Sequence, residues 1–184
     1  NTTGSLNVAN GTEALRNNTT GTQNVANGTN ALWSNTTGTQ NVANGIYALW
    51  LNTTGGSNVA NGFSALGNNT TGRDNVAEGN NAGSLINSGA NNTITNNSIF
   101  IGNDTRAEGD NQTNQIVIGN AGRGLGSNTA QIGNTSITRV GLGNYKFKTS
   151  PALGSGDDGK VLTYVHSAGE FQAVTPSGGG TPAG

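Results

Sequence analysis

The chain states one phrase five times without gaining or losing a residue: NTTGSLNVANGTEALRN begins at Asn1, and its copies open at Asn18, Asn35, Asn52 and Asn69, an unvarying spacing of 17. A repeat free of insertions means that each copy occupies an equivalent place in a stack, because one added residue would shift every later side chain out of register. The period therefore points to a solenoid. Hydrophobic residues make up 31% and charged residues 9% of the chain, both below the usual globular shares, so one thick core is excluded. Disorder is disfavoured as well, since disordered chains are charge-rich and rarely hold an exact period with Val and Leu fixed inside it.

Each repeat reads NTTG, two variable residues, NVANG (NVAEG in the fifth), two more variable residues, then AL in four copies and a variable pair. NTTG is a turn, with Asn able to bond nearby backbone and Gly able to take positive φ. NVANG is a short extended segment closed by Gly, and the AL segment reads as a second one, so a coil is expected to hold two strands and two tight turns. Helix is disfavoured, because 17 residues with at least two Gly and several Asn and Thr lose too much propensity. Alternation places Val8 and Asn10 on one face and Asn7 and Ala9 on the other. Val8, Val25, Val42, Val59 and Val76 are expected to stack as one core column, and Leu15, Leu32, Leu49 and Leu66 as a second. The fold class expected is all-β, a parallel β-solenoid whose coils lie about 4.8 Å apart. One Val, one Leu and a few Ala per coil make a thin core, which three chains around an axis would share.

From Ile86 the wording changes while the beat partly persists. IFIGN ends at Asn103, IVIGN at Asn120, AQIGN at Asn134 and GLGN at Asn144, so the intervals shrink from 17 to 14 to 10. The expected organisation is five coils over 1–85, degenerate coils and a neck over 86–144, a β-hairpin module over 145–176, and a Gly/Pro/Ser linker over 177–184. In the third part, DGKVLTYV and GEFQAV alternate like strands around an HSAG turn. The chain opens inside the repeat without a signal peptide, as a piece of something longer would.

The phrases NTTGTQNVANGTNAL, NQIVIGN and NTSITRVGLGN resemble the head repeats of trimeric autotransporter adhesins, the YadA-like heads, which are also found in bacteriophage tail fibres. The resemblance covers residues 1–144 and implies a left-handed parallel β-roll, three of which associate about a threefold axis. It also implies an extracellular place, on a virion tail fibre or a bacterial cell surface. LGSGDDGKVLTYVHSAGEFQAV resembles a small hairpin module of phage tail fibres. The chain departs from the family in its longer repeat and in Asn10, Asn27, Asn44 and Asn61, which stand where the family more often has Ile. Physically, these can form a ladder in which each amide bonds the copy in the next coil, or they can face solvent at a turn.

A formal net charge of −1 supplies no basic footprint for nucleic acid and no cationic face for a membrane surface. No apolar run approaches the roughly 18 residues of a membrane span. Without cysteine there are no disulfides or thiolate metal sites. The lone histidine, His166, falls in the HSAG turn with no orienting carboxylate, and Asp157–Asp158 sits in a Gly-rich turn, so no enzyme is expected. A glycan-degrading tailspike would need a convergent acidic pair. Asp104, Glu108 and Asp110 can present oxygens to Ca²⁺ but lack the spacing of known calcium loops, and a solvated loop is the simpler reading. The many Asn-x-Ser/Thr triplets follow from composition. Thr2 and Thr3 are adjacent and point to opposite sides, which counts against an ice-binding face.

The variable slots carry the most specific signal. Trp33 and Trp50 are one period apart and should stack, with Ile46, Tyr47 and Phe63 beside them, either as a receptor contact or as part of the trimer contact. The expected function is a structural and adhesive segment of a homotrimeric fibre that presents or contributes to binding of a cell-surface glycan or protein. The alternatives are the head of a bacterial trimeric autotransporter adhesin, and an ice- or glycan-binding β-solenoid.

Overall fold

The computed structural model of the chain describes residues 2–136 and two strands beyond them. The short strands β1 (Val8–Asn10), β2 (Val25–Asn27), β3 (Val42–Asn44), β4 (Val59–Asn61) and β5 (Val76–Glu78) each take the same three residues of a repeat. They are followed by β6 (Thr95–Asn96), β7 (Ile99–Ile101), β8 (Gln112–Thr113), β9 (Ile116–Ile118), β10 (Ala130–Ile132), β11 (Val161–Val165) and β12 (Glu170–Val174). One parallel sheet runs β1-β2-β3-β4-β5-β7-β9-β10, and β6 pairs with β8 in a second. The described residues therefore form an all-β solenoid of about seven turns with no helix. The chain divides into two compact units, Asn1–Val140 and Gly141–Gly184. In the second, β11 and β12 pair antiparallel, Val161 opposite Val174. The neck beyond residue 136, the HSAG turn with His166, Asp157–Asp158 and the linker 177–184 lie outside the described residues.

The register is set by the period: Val8 pairs with Val25, Val25 with Val42, and so on without slippage. The stack also survives changes of coil length. Between the fifth and sixth coils, equivalent residues Thr70 and Thr93 are 23 apart instead of 17, and the six additional residues leave the stack as a tight loop closed by the Ile86 N–H to the Ala90 carbonyl, 2.9 Å. The last step shortens to 14 residues.

The valine column stacks as the repeat requires, but it faces outward. Val8 and Val76 are 47% and 39% exposed, whereas Ala26, Ala43, Ala60 and Ala77, between Val and Asn on each strand, are fully buried. Alternation was the right rule and the wrong face was assigned to the core, because Leu from across the coil fills the interior and leaves room for only a methyl group. Leu32, Leu49 and Leu66 are fully buried and Leu15 nearly so. Their segment is not the second strand expected from the sequence: these leucines have φ of 48–51°. A left-handed leucine costs about 1–2 kcal/mol, and full burial of its side chain returns about 1.5–3 kcal/mol, so burial holds the turn in place.

The fifth coil has Gly83 where the preceding four have Leu, and the next coil has Phe100 where they have Ala. The two changes compensate. Phe100 is fully buried, and a Cβ on Gly83 would lie 2.7 Å from Phe100 Cδ2. Gly83 also keeps the positive φ of the leucine it replaces, 66°.

The remaining interior is filled by asparagine. Asn24, Asn41, Asn58 and Asn75 are fully buried. The Asn41 side-chain amide donates to Asn24 Oδ1 at 3.2 Å and to the Gly55 carbonyl at 2.8 Å, while Asn41 Oδ1 accepts from the Asn58 backbone N–H at 3.0 Å and its side-chain amide at 3.1 Å. Asn18, Asn35, Asn52 and Asn69, the first residues of four repeats, form a second buried file. There, Asn35 and Asn52 each donate to the Oδ1 one coil back, at 2.7 and 2.8 Å, and to the Gly carbonyl three residues ahead. Asn10, Asn27, Asn44 and Asn61 do form a ladder, at 2.8–2.9 Å per step and ending on the Glu78 carboxylate. It lies on the outward face with the valines, so the ladder and the solvent-facing alternatives both describe it.

Two predictions follow from this packing. Asn41→Ala strands the Asn58 and Gly55 groups and should cost about 3 kcal/mol or more, whereas Asn44→Ala, on the solvated ladder, should cost less than about 1 kcal/mol in denaturant unfolding. Phe100→Ala should cost about 3–5 kcal/mol. Adding Gly83→Leu restores the Ala/Leu pair of the earlier coils and should recover part of that loss, although Gly83→Leu alone destabilises; a double-mutant cycle measures the coupling.

Candidate functional site

The two variable slots of each repeat lie on either side of the AL segment, in the turn 45–51 and its equivalents. Coil-to-coil backbone bonds hold these turns in register: Tyr47 N–H donates to the Thr29 carbonyl at 3.0 Å, Ser64 N–H to Ile46 at 2.9 Å, and Ser34 N–H to Trp50 at 3.0 Å. Side chains at one slot therefore stand in files. One file runs Arg16, Trp33, Trp50, Gly67, Ser84; another runs Glu13, Asn30, Tyr47, Ser64, Asn81.

The structure brings Trp33, Trp50, Tyr47 and Phe63 into one cluster. Ring centroids are 6.4 Å apart for Trp33–Trp50, tilted at 44°, and Tyr47 meets Trp50 at 5.6 Å and Phe63 at 5.9 Å edge to face, separations typical of favourable aromatic pairs. Trp33 is anchored at the other end: its indole N–H donates to Glu13 at 3.0 Å, Glu13 pairs with Arg16 at 2.7 Å, and the Arg16 guanidinium lies 6.0 Å from the Trp33 ring centre. Phe63 and Ile46 are 46% and 47% exposed and the other rings half-buried. Ile46 is in none of the ring contacts.

The file stops at Gly67. With no side chain to continue the stack below Trp50, an open groove of about 320 Å³ remains, lined by Tyr47, Trp50, Ser64, Gly67, Asn68, Asn81, Ser84 and Leu85. Asn68 donates its amide to the Ser84 carbonyl and hydroxyl, both at 3.0 Å. Among the described residues, the Tyr47 hydroxyl, the Trp50 indole N–H, the Ser64 hydroxyl and the Asn81 side-chain amide have no protein partner. No charged residue lines the groove. Sequence reasoning found the aromatic residues and missed the groove; its signal was a glycine in a file of large side chains.

The acidic residues named from the sequence are engaged in other ways. Asp104 holds Arg106 at 2.9 and 3.0 Å and Arg123 at 3.3 Å, and the Arg106 hydrogen bond holds its carboxyl below the ordinary range despite partial burial. Asp110 caps the strand entry opposite it, accepting from Thr93 and Ile94 N–H at 2.9 and 2.7 Å and from the Thr93 hydroxyl. Partial burial raises its pKa, but the hydrogen bonds from Thr93, Ile94 and Asn111 outweigh that and lower it. Glu108 is exposed. Among the described residues no three His, Cys, Asp or Glu come together as metal ligands would. The Thr hydroxyls divide: Thr19, Thr36 and Thr53 donate to the carbonyl of the Thr one coil on, and Thr20, Thr37 and Thr54 are exposed.

No family model, curated protein or solved structure matches the chain.

Because Asp104 and Asp110 titrate below the unfolded value of about 4, their contribution is fully present above that pH and is lost as pH falls through the depressed folded values. Unfolding midpoints should therefore drop as the pH is lowered below about 4. Asp110→Asn should flatten part of that dependence while lowering stability at pH 7.

Proposed function

We infer that the chain is a structural and adhesive segment of a homotrimeric fibre, its coils wound as a left-handed roll like those of the YadA-like heads it resembles. The observation that carries this reading is the outward face of the long sheet. Val8, Val25, Val42, Val59 and Val76 are continued in register by Ile99 and Ile116, and Ile101, Ile118 and Ile132 join them where the asparagine ladder ends. The face thus becomes more apolar toward β10, and Ile101 and Ile132 are among its exposed members. A contiguous apolar stripe of this kind marks a docking surface. Its groups recur at the pitch of parallel strands, about 4.8 Å, and the partner whose apolar groups recur at the same pitch is another copy of the chain in register. Three copies would close the stripe around an axis.

A fibre of this kind works mechanically, holding a binding surface away from a virion or cell. The head of a bacterial trimeric adhesin is the alternative setting, with the same assembly. We assign no reaction and no cofactor. Light scattering after size exclusion should give a mass three times the 18.4 kDa of the chain, and Ile101→Lys should convert it to folded monomers. A compact wild-type monomer at micromolar concentration would overturn the assembly.

A further inference from the structure

We propose that the groove below Trp50 is a binding site for a neutral pyranose sugar. The inference deepens the adhesive reading and rests on it only for its biological use, because the groove lies within one chain. A sugar ring has an apolar C–H face and a rim of hydroxyls. The groove offers the complement: Tyr47 and Trp50 bring aromatic rings to its lining, and the same two residues with Ser64 and Asn81 bring a hydroxyl, an indole N–H, a second hydroxyl and an amide that have no protein partner. Small-molecule sites combine mostly apolar walls with a few convergent polar groups in about 300–1,000 Å³, and this groove, at about 320 Å³, falls at the lower end of that range. The absence of a lining charge selects a neutral ligand, since a sialic acid carboxylate or a phosphate would be desolvated here without a cation to meet it.

Three local features of the sequence shape the site. Gly67 opens the space, the Asn68–Ser84 bonds brace its lining, and Glu13 with Arg16 fixes Trp33 and so the stack behind Trp50. The aromatic residues project from the turns, whereas the outward Val and Ile stripe belongs to the strands, so assembly through the stripe uses other residues of each coil.

The chain has two tryptophans, so the unsubstituted protein reports binding through their combined fluorescence, and Trp33→Phe is kept for the acrylamide measurement, where Trp50 must be the sole indole. In the full, unsubstituted chain, titration with methyl β-galactopyranoside and N,N′-diacetylchitobiose should give a saturable change in tryptophan fluorescence for at least one, with a dissociation constant of about 1 mM. Tyr47→Asn removes the ring and suits the positive φ there, 61°; with the circular dichroism of the parent retained, it should weaken binding at least tenfold. Gly67→Leu should abolish the response by filling the groove. The proposal is overturned if neither sugar gives a saturable change, if 3′-sialyllactose binds more tightly than both, or if acrylamide cannot reach Trp50 in the assembled protein. A trimer without a sugar response would sink this site and leave the fibre reading standing; a sugar-binding monomer would do the reverse.

Discussion

The fold depends on an amide that is shared between coils. Asn24, Asn41 and Asn58 each accept two hydrogen bonds from the next coil and donate two, one to the asparagine one coil back and one to a glycine carbonyl one coil on. Asn75 ends the file by donating to Asn58 and the Thr95 carbonyl and accepting from the Ser98 N–H. A single such bond is worth about 1 kcal/mol net, while a buried group left without one costs about 1–3 kcal/mol. The asymmetry enforces register: sliding one coil by one residue would break the amide bonds on both of its faces at once. Alanine on the inner strand position and leucine across from it supply the apolar filling, but neither specifies position as the amides do.

How much of this could be read from the sequence varies with the residue. The period led directly to stacked parallel strands, because only an in-register stack gives an exact repeat a meaning. The leucines were placed by hydrophobicity, and they are buried. Valine was placed inside by the same rule, and there it failed. Valine and Asn10-type residues share one face and Ala9 and Asn7-type residues the other, and apolar weight favoured the first, but cross-sectional space and the hydrogen-bonding capacity of asparagine decided for the second. The AL segment read as a strand because nothing in leucine announces a left-handed φ; that conformation is imposed by burial. The stacking of Trp33 over Trp50 was legible from their spacing. The groove beneath them was not, because it is made by the absence of a side chain at Gly67.

The asparagine files also oppose one another. In the outward ladder each side-chain amide donates toward the next coil, ending on the Glu78 carboxylate, whereas the amide-to-amide bonds of the two buried files run to the coil before, and Asn24, Asn41 and Asn58 donate their second proton to a glycine carbonyl one coil on. The outward ladder ends on a charge of the correct sign, since its last amide donates to the Glu78 carboxylate.

The six residues added between the fifth and sixth coils have a further consequence. They enter at the junction between one repeat and the next, beside Leu85 and ahead of Asn92, and Thr70 still meets Thr93 through its hydroxyl at 2.9 Å as Thr53 meets Thr70 at 3.0 Å. Lengthening is thus available in two independent directions. Whole coils extend the rod along its axis without changing its cross-section, and loops grafted at a repeat junction decorate its flank without disturbing the stack. A lineage of such chains can vary what it displays at the corners while inheriting the same rod.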